Sequence, residues 1–98
     1  MMEEAQYLAF VDALEGQSGK ISRLGAGIIA ALALEIAADS RSFARIFGVA
    51  HALVLRELVV LGAKDGYIRI RQRDERTQRT RYELNGAGVR LVEETHSN

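Results

Sequence analysis

The sequence contains no cysteine, which excludes disulfides and thiolate metal sites and leaves the redox compartment unmarked by cysteine usage. It also lacks a long hydrophobic run. The most apolar stretch, Leu24 to Leu34, is followed by Glu35 and Asp39 and falls short of the roughly 18 to 20 residues needed to cross a bilayer. It reads as a buried helix, and no membrane partner is expected. The opening residues Met1, Met2, Glu3 and Glu4 carry neither the basic start nor the apolar run of a secretory signal, so a cytoplasmic location is the default. Aromatic residues make up only 6% of the chain and form no exposed stacking series, which ranks recognition of single-stranded RNA low.

The residues of catalysis are missing as well. The two histidines, His51 and His96, are too far apart in sequence to suggest a metal site, and neither has a plausible serine and carboxylate beside it. No paired acids stand in an apolar setting. Gly25–Gly27 and Gly86–Gly88 lack the preceding strand and third glycine of a dinucleotide fingerprint. Neither an enzyme nor a cofactor is therefore expected.

Charge is what the chain does have, and it is unevenly placed. The formal net charge is zero, yet residues 1 to 39 hold two basic and six acidic groups while residues 40 to 98 hold eleven basic and seven acidic, so the halves differ as about −4 and +4. Six arginines, Arg69, Arg71, Arg73, Arg76, Arg79 and Arg81, stand against only Asp74 and Glu75 between residues 69 and 81. None of the six positions is lysine.

Along the chain, Tyr7, Phe10, Val11 and Leu14 recur at the spacing of a one-faced helix over Glu3 to Glu15, broken by Gly16 to Gly19. Ser22 to Ala38 is alanine-rich and apolar on more than one face, so it predicts a helix that is central or shared between subunits. Ser40 reads as the N-cap of a short helix holding Phe43, Ala44, Ile46 and Phe47, and Gly48 suits the left-handed turn that ends it. A further helix follows from about Ala50 to Leu61. Tyr67 to Arg73 then alternates strictly, with Ile68 and Ile70 on one face and Arg69, Arg71 and Arg73 on the other. Gln78 to Leu84 alternates likewise, with Thr80, Tyr82 and Leu84 opposed to Arg79, Arg81 and Glu83. Matching apolar faces pairs Ile70 with Tyr82, Ile68 with Leu84 and Arg69 with Glu83, and puts the hairpin tip at Asp74 to Gln78. Asn85 caps a last helix running through Glu94, with Val89, Leu91 and Val92 available for packing, and Thr95 to Asn98 is expected to fray.

Residues 40 to 61, SRSFARIFGVAHALVLRELVVL, resemble a bacterial helix-turn-helix: Ala44 permits close crossing, Gly48 makes the turn, and Val49, Val54, Leu58 and Leu61 fill the angle. With the strand pair and the following YELNGAGVRLVEE, the run is similar to winged-helix regulators of the MarR and PadR type, on Leu84, Asn85, Gly88 and Leu91. A narrower likeness, to the phage Rha regulators, covers about half the chain on the SRxFAxxFGxxHxxVLRxL run. The resemblance implies a mainly α fold with a small β-hairpin: one winged-helix domain over residues 1–98, with five helices and a two-stranded antiparallel wing. Its parts are N-terminal helices at 1–38 used for dimerisation, a helix-turn-helix at 40–61, a wing at 67–84 and a C-terminal helix at 86–94.

It further implies a homodimer on duplex DNA. Carried over by position, His51, Ala52, Leu55 and Arg56 face the major groove, although only His51 and Arg56 donate well to base acceptors. His51 reads equally as a surface residue at a helix start. The wing is the stronger candidate, because Arg71, Arg73, Arg79 and Arg81 are expected on one hairpin face with Arg76 at the tip, and arginine forks pair with phosphate oxygens. Arg41 and Arg45 add backbone contacts. The alternative expectation is a protein-interaction module whose apolar Leu53, Leu55 and Val59 meet a partner.

Overall fold

The computed structural model describes residues 4–97. Its elements run α1 (Glu4–Gln17), α2 (Arg23–Ala33), α3 (Ser40–Phe47), α4 (His51–Leu61), β1 (Ile68–Arg73), β2 (Thr80–Leu84) and α5 (Gly86–Ser97). Five helices and a two-stranded antiparallel hairpin give the mainly helical layout of a winged helix. Among the described residues no helix is long and apolar enough to cross a membrane.

The apolar spacing of α1 does what the sequence predicts: Tyr7, Phe10, Val11 and Leu14 are all buried, against α2 and α5. The middle of α2 is buried on every side, from Gly25 through Ala31, which explains why its apolar residues are not confined to one stripe. Tyr7 closes this layer by donating its hydroxyl to Gly27 O at 2.9 Å and stacking its ring on Phe47, 4.8 Å between centroids. Phe47 in turn packs on Phe43 at 4.5 Å, so α3 is fastened to the N-terminal layer through aromatic rings.

Two helix limits around α2 and α3 differ from the sequence expectation. The helix expected over Ser22 to Ala38 stops at Ala33, because Glu35 takes a left-handed conformation, φ 58°. Glu35 N–H then donates to Leu32 O and Ile36 N–H to Ala31 O, which is the paired closure of a Schellman turn, here without its usual glycine. Released from the helix, Ala38 and Asp39 run extended beside β2: Tyr82 N–H donates to Ala38 O at 3.2 Å, and Asp39 bridges Arg81. At the start of α3, the N-cap is Asp39 rather than Ser40, its carboxylate accepting from the amides of Arg41 and Ser42 at 3.0 Å. Ser40 is instead a fully buried helical residue. At the other end Gly48 takes φ 65°, the left-handed turn its lack of a side chain allows.

The hairpin pairs in the expected register, Ile68 with Leu84, Arg69 with Glu83 and Ile70 with Tyr82. Beyond that point a bulge between Ile70 and Gln72 breaks the strict alternation, so Gln72 faces Arg81 and Arg73 faces Thr80. The tip falls where the pattern placed it. Asp74 O accepts from Gln78 N–H, Asp74 Oδ1 accepts from the amides of Arg76 and Thr77, and Gln78 adopts φ 63°.

Asn85 caps α5 by accepting from Gly88 N–H at 2.8 Å. Gly88 is required there: a β-carbon would stand 2.1 Å from Tyr67 O. The end of α5 is not frayed at Thr95, which is buried and donates its hydroxyl to Leu91 O, and the His96 ring lies 4.9 Å from that of Phe10. Docking on α1 holds the last turn, a tertiary effect that local sequence does not display.

Candidate nucleic-acid interface

The wing is rooted in the helix-turn-helix by a short polar seam. The extended Ala38–Asp39 segment lies along β2, and Arg79 Nε approaches Asp39 Oδ2 at 3.4 Å. Arg41 reaches from the first turn of α3 to the wing turn, donating through Nε and Nη2 to Thr77 O at 3.2 and 2.6 Å. Burial raises the pKa of Asp39, but hydrogen bonds from Ser42 and Arg41 and the charge of Arg79 outweigh it and hold the carboxyl below its ordinary value. Asp39 therefore stays ionised while serving as both helix cap and wing anchor.

The expected arginine face divides into two groups. Glu83 takes hydrogen bonds from both Arg69 and Arg71, the latter at 2.7 Å, and these hold its carboxyl below the usual range. Together with the Asp39 contact, this leaves three of the six wing arginines paired. Arg73, Arg76 and Arg81 are exposed and make no ion pair among the described residues. The single face expected for Arg71, Arg73, Arg79 and Arg81 is not formed, because the bulge sets Arg73 across from Thr80 while Arg71 turns to Glu83. Unpaired charge is concentrated on the outer part of the hairpin.

On the helix-turn-helix, Arg45 and Arg56 are exposed, as is Ala52, whereas Leu55 is partly buried against the core. His51 is only part-exposed. Its Nε2 lies 2.8 Å from Ser40 Oγ, and burial followed by the charge of Arg41 lowers its pKa from the ordinary value, with Asp39 opposing. The outer surface of α4 is otherwise apolar: Leu53 is 42%, Val59 68% and Val60 56% exposed. Sequence reasoning placed the arginines but missed Asp39, Ser40 and Thr80, whose contacts seat the wing. The available signal was two successive N-cap types, Asp39 and Ser40, only one of which can cap.

No family model matches the chain, and neither a curated protein nor a solved structure does.

Proposed function

We propose that this chain is a DNA-binding transcriptional regulator, acting as a cytoplasmic homodimer that grips duplex DNA chiefly through its wing. The observation that carries the reading is the set of exposed, unpaired guanidinium groups at Arg73, Arg76 and Arg81, on a hairpin anchored beside a helix-turn-helix. A guanidinium fork pairs two-pronged with phosphate oxygens and fits a narrow minor groove. Arg45 and Arg56 add positive charge on α3 and α4. With His51 engaged by Ser40, α4 offers Arg56 as its principal donor to base edges, so affinity rests on backbone contacts more than on base readout.

The test is fluorescence anisotropy with labelled duplex over a salt series. Binding should weaken by about 0.9 in log affinity per phosphate contact for each tenfold rise in salt. Arg76→Ala with Arg81→Ala should flatten that slope by roughly 2 and leave assembly intact. A chain that fails to bind duplex even at low salt refutes the reading.

A second reading has its own observation. The exposed Leu53, Val59 and Val60 favour a protein-interaction module in which α4 meets a partner. Val59→Glu separates the two. It abolishes assembly under the second reading and leaves duplex binding through the wing in place under the first.

A further inference from the structure

Three elements of the wing junction meet on one hydroxyl. Ser40 opens α3, His51 opens α4 and Thr80 opens β2. Ser40 and Thr80 have no solvent exposure, Thr80 N–H donates to Ser40 Oγ at 2.9 Å, and His51 Nε2 lies 2.8 Å from the same oxygen. A serine hydroxyl has two lone pairs and one proton. Thr80 uses one lone pair, and a neutral imidazole with Nε2 unprotonated takes the proton, which satisfies all three groups.

Protonating His51 reverses the polarity of that contact. The imidazolium donates at Nε2, so Ser40 Oγ must accept from both neighbours while its own proton loses its acceptor on a residue with no solvent exposure. An orphaned buried donor is expensive. The charges around the ring come from two elements: Asp39 and Arg41 at the start of α3, with Arg79 of the wing set against Asp39. Arg41 disfavours a second cation and Asp39 favours it, while Arg79 offsets part of the Asp39 charge.

We propose that His51 is a proton-gated latch between the helix-turn-helix and the wing: the neutral ring holds β2 to α3 through Ser40, and protonation, by leaving the Ser40 proton without an acceptor, weakens the Ser40–Thr80 junction. Above the transition the wing and α4 keep one spacing; below it the base of the wing loosens. Burial and Arg41 already disfavour the charged ring, the same direction as the hydroxyl argument. The latch belongs to the free chain, so its failure is distinct from failure of the DNA reading.

The experiment follows the His51 ring and the Thr80 amide by NMR over about pH 5 to 8, the range in which histidine charge changes. Thr80 hydrogen-exchange protection, referred to its intrinsic rate, should fall about tenfold as His51 gains its proton, with the same midpoint. His51→Gln, which presents a neutral side chain at every pH, should abolish that dependence. Ser40→Ala should lower Thr80 protection throughout; should it not fold, the wild-type chain and His51→Gln still decide. Thr80 protection that is unchanged across the His51 titration, or that keeps its pH response in His51→Gln, overturns the latch.

Discussion

The N-terminal layer and the wing treat their charges and surfaces in opposite ways. In α1 and α2 the one arginine, Arg23, is held by Asp12 and Glu15, each at 2.7 Å, and apart from the exposed Leu8 the large apolar residues are buried or partly buried, with Leu14, Ile28 and Ile29 fully buried. In the hairpin, Ile68 and Tyr82 are buried and Ile70 is 39% exposed, while three guanidinium groups face solvent without a carboxylate. The first region invests its side chains in folding. The second depends on the first for its position and leaves its charge available to an anion. Mutations in the two regions should therefore separate stability from binding.

The largest effect is expected in the layer. Leu14→Ala removes a fully buried side chain where α1 meets α2, and a cavity of that kind costs about 2 to 5 kcal/mol. Chemical denaturation should show that loss, while the salt slope for duplex binding of the molecules still folded stays as in the parent. In the wing the converse holds: Arg76→Ala with Arg81→Ala should shift stability by less than about 0.5 kcal/mol, as exposed unpaired side chains do. A destabilised double variant would mean that these arginines hold the hairpin together, and the contrast between the regions would collapse.

Asp39 stands between the two. Asp39→Ala removes the cap of α3 and the partner of Arg79, and loss of an N-cap alone costs about 0.5 to 2 kcal/mol. The same carboxylate sets an acid response. Its folded pKa lies below the ordinary value, so its contribution is complete above that value and is lost as pH falls through the folded pKa. Denaturation midpoints measured from neutral to acid pH should fall less steeply in Asp39→Asn than in the parent. An identical acid slope in the two proteins would show that Asp39 is not the group responsible.

The parts of this fold legible in the sequence are those written in side-chain period. The face of α1, the hairpin register from Ile68 to Tyr82 and the Asn85 cap all follow from spacing and residue type. What was not legible depends on the backbone leaving its regular path without a glycine to announce it. Glu35 and Gln78 are left-handed non-glycine residues, and the bulge after Ile70 carries ordinary strand residues. Each conformation comes with contacts that only the three-dimensional structure displays: the Schellman bonds at Glu35, the Asp74 turn at Gln78, and the Arg71–Glu83 pair beside the bulge. The candidate site suffers most from this, because the bulge decides which arginines share a face. Its individual residues are readable from the sequence, but their division into paired and unpaired groups depends on where Glu83 and Asp39 lie in space.

The last contrast concerns Tyr82, where the wing enters the core. Its side chain is 3% exposed, and its hydroxyl is the one buried side-chain polar atom among the described residues without a hydrogen-bond partner. Burial, with Asp39 and Tyr7 nearby, raises its pKa far above the ordinary value, so the hydroxyl stays neutral and its desolvation is not offset by a bond. An unpaired buried hydroxyl costs about 1 to 3 kcal/mol, whereas the ring itself is part of the buried core. Tyr82→Phe keeps the ring and removes the orphan, so it should leave stability unchanged or raise it by up to about 1 kcal/mol. Thermal unfolding measures this directly. A loss of stability would show that the hydroxyl has a partner, a bound water being the simplest, and that the wing reaches the core through a hydrated contact rather than a dry one.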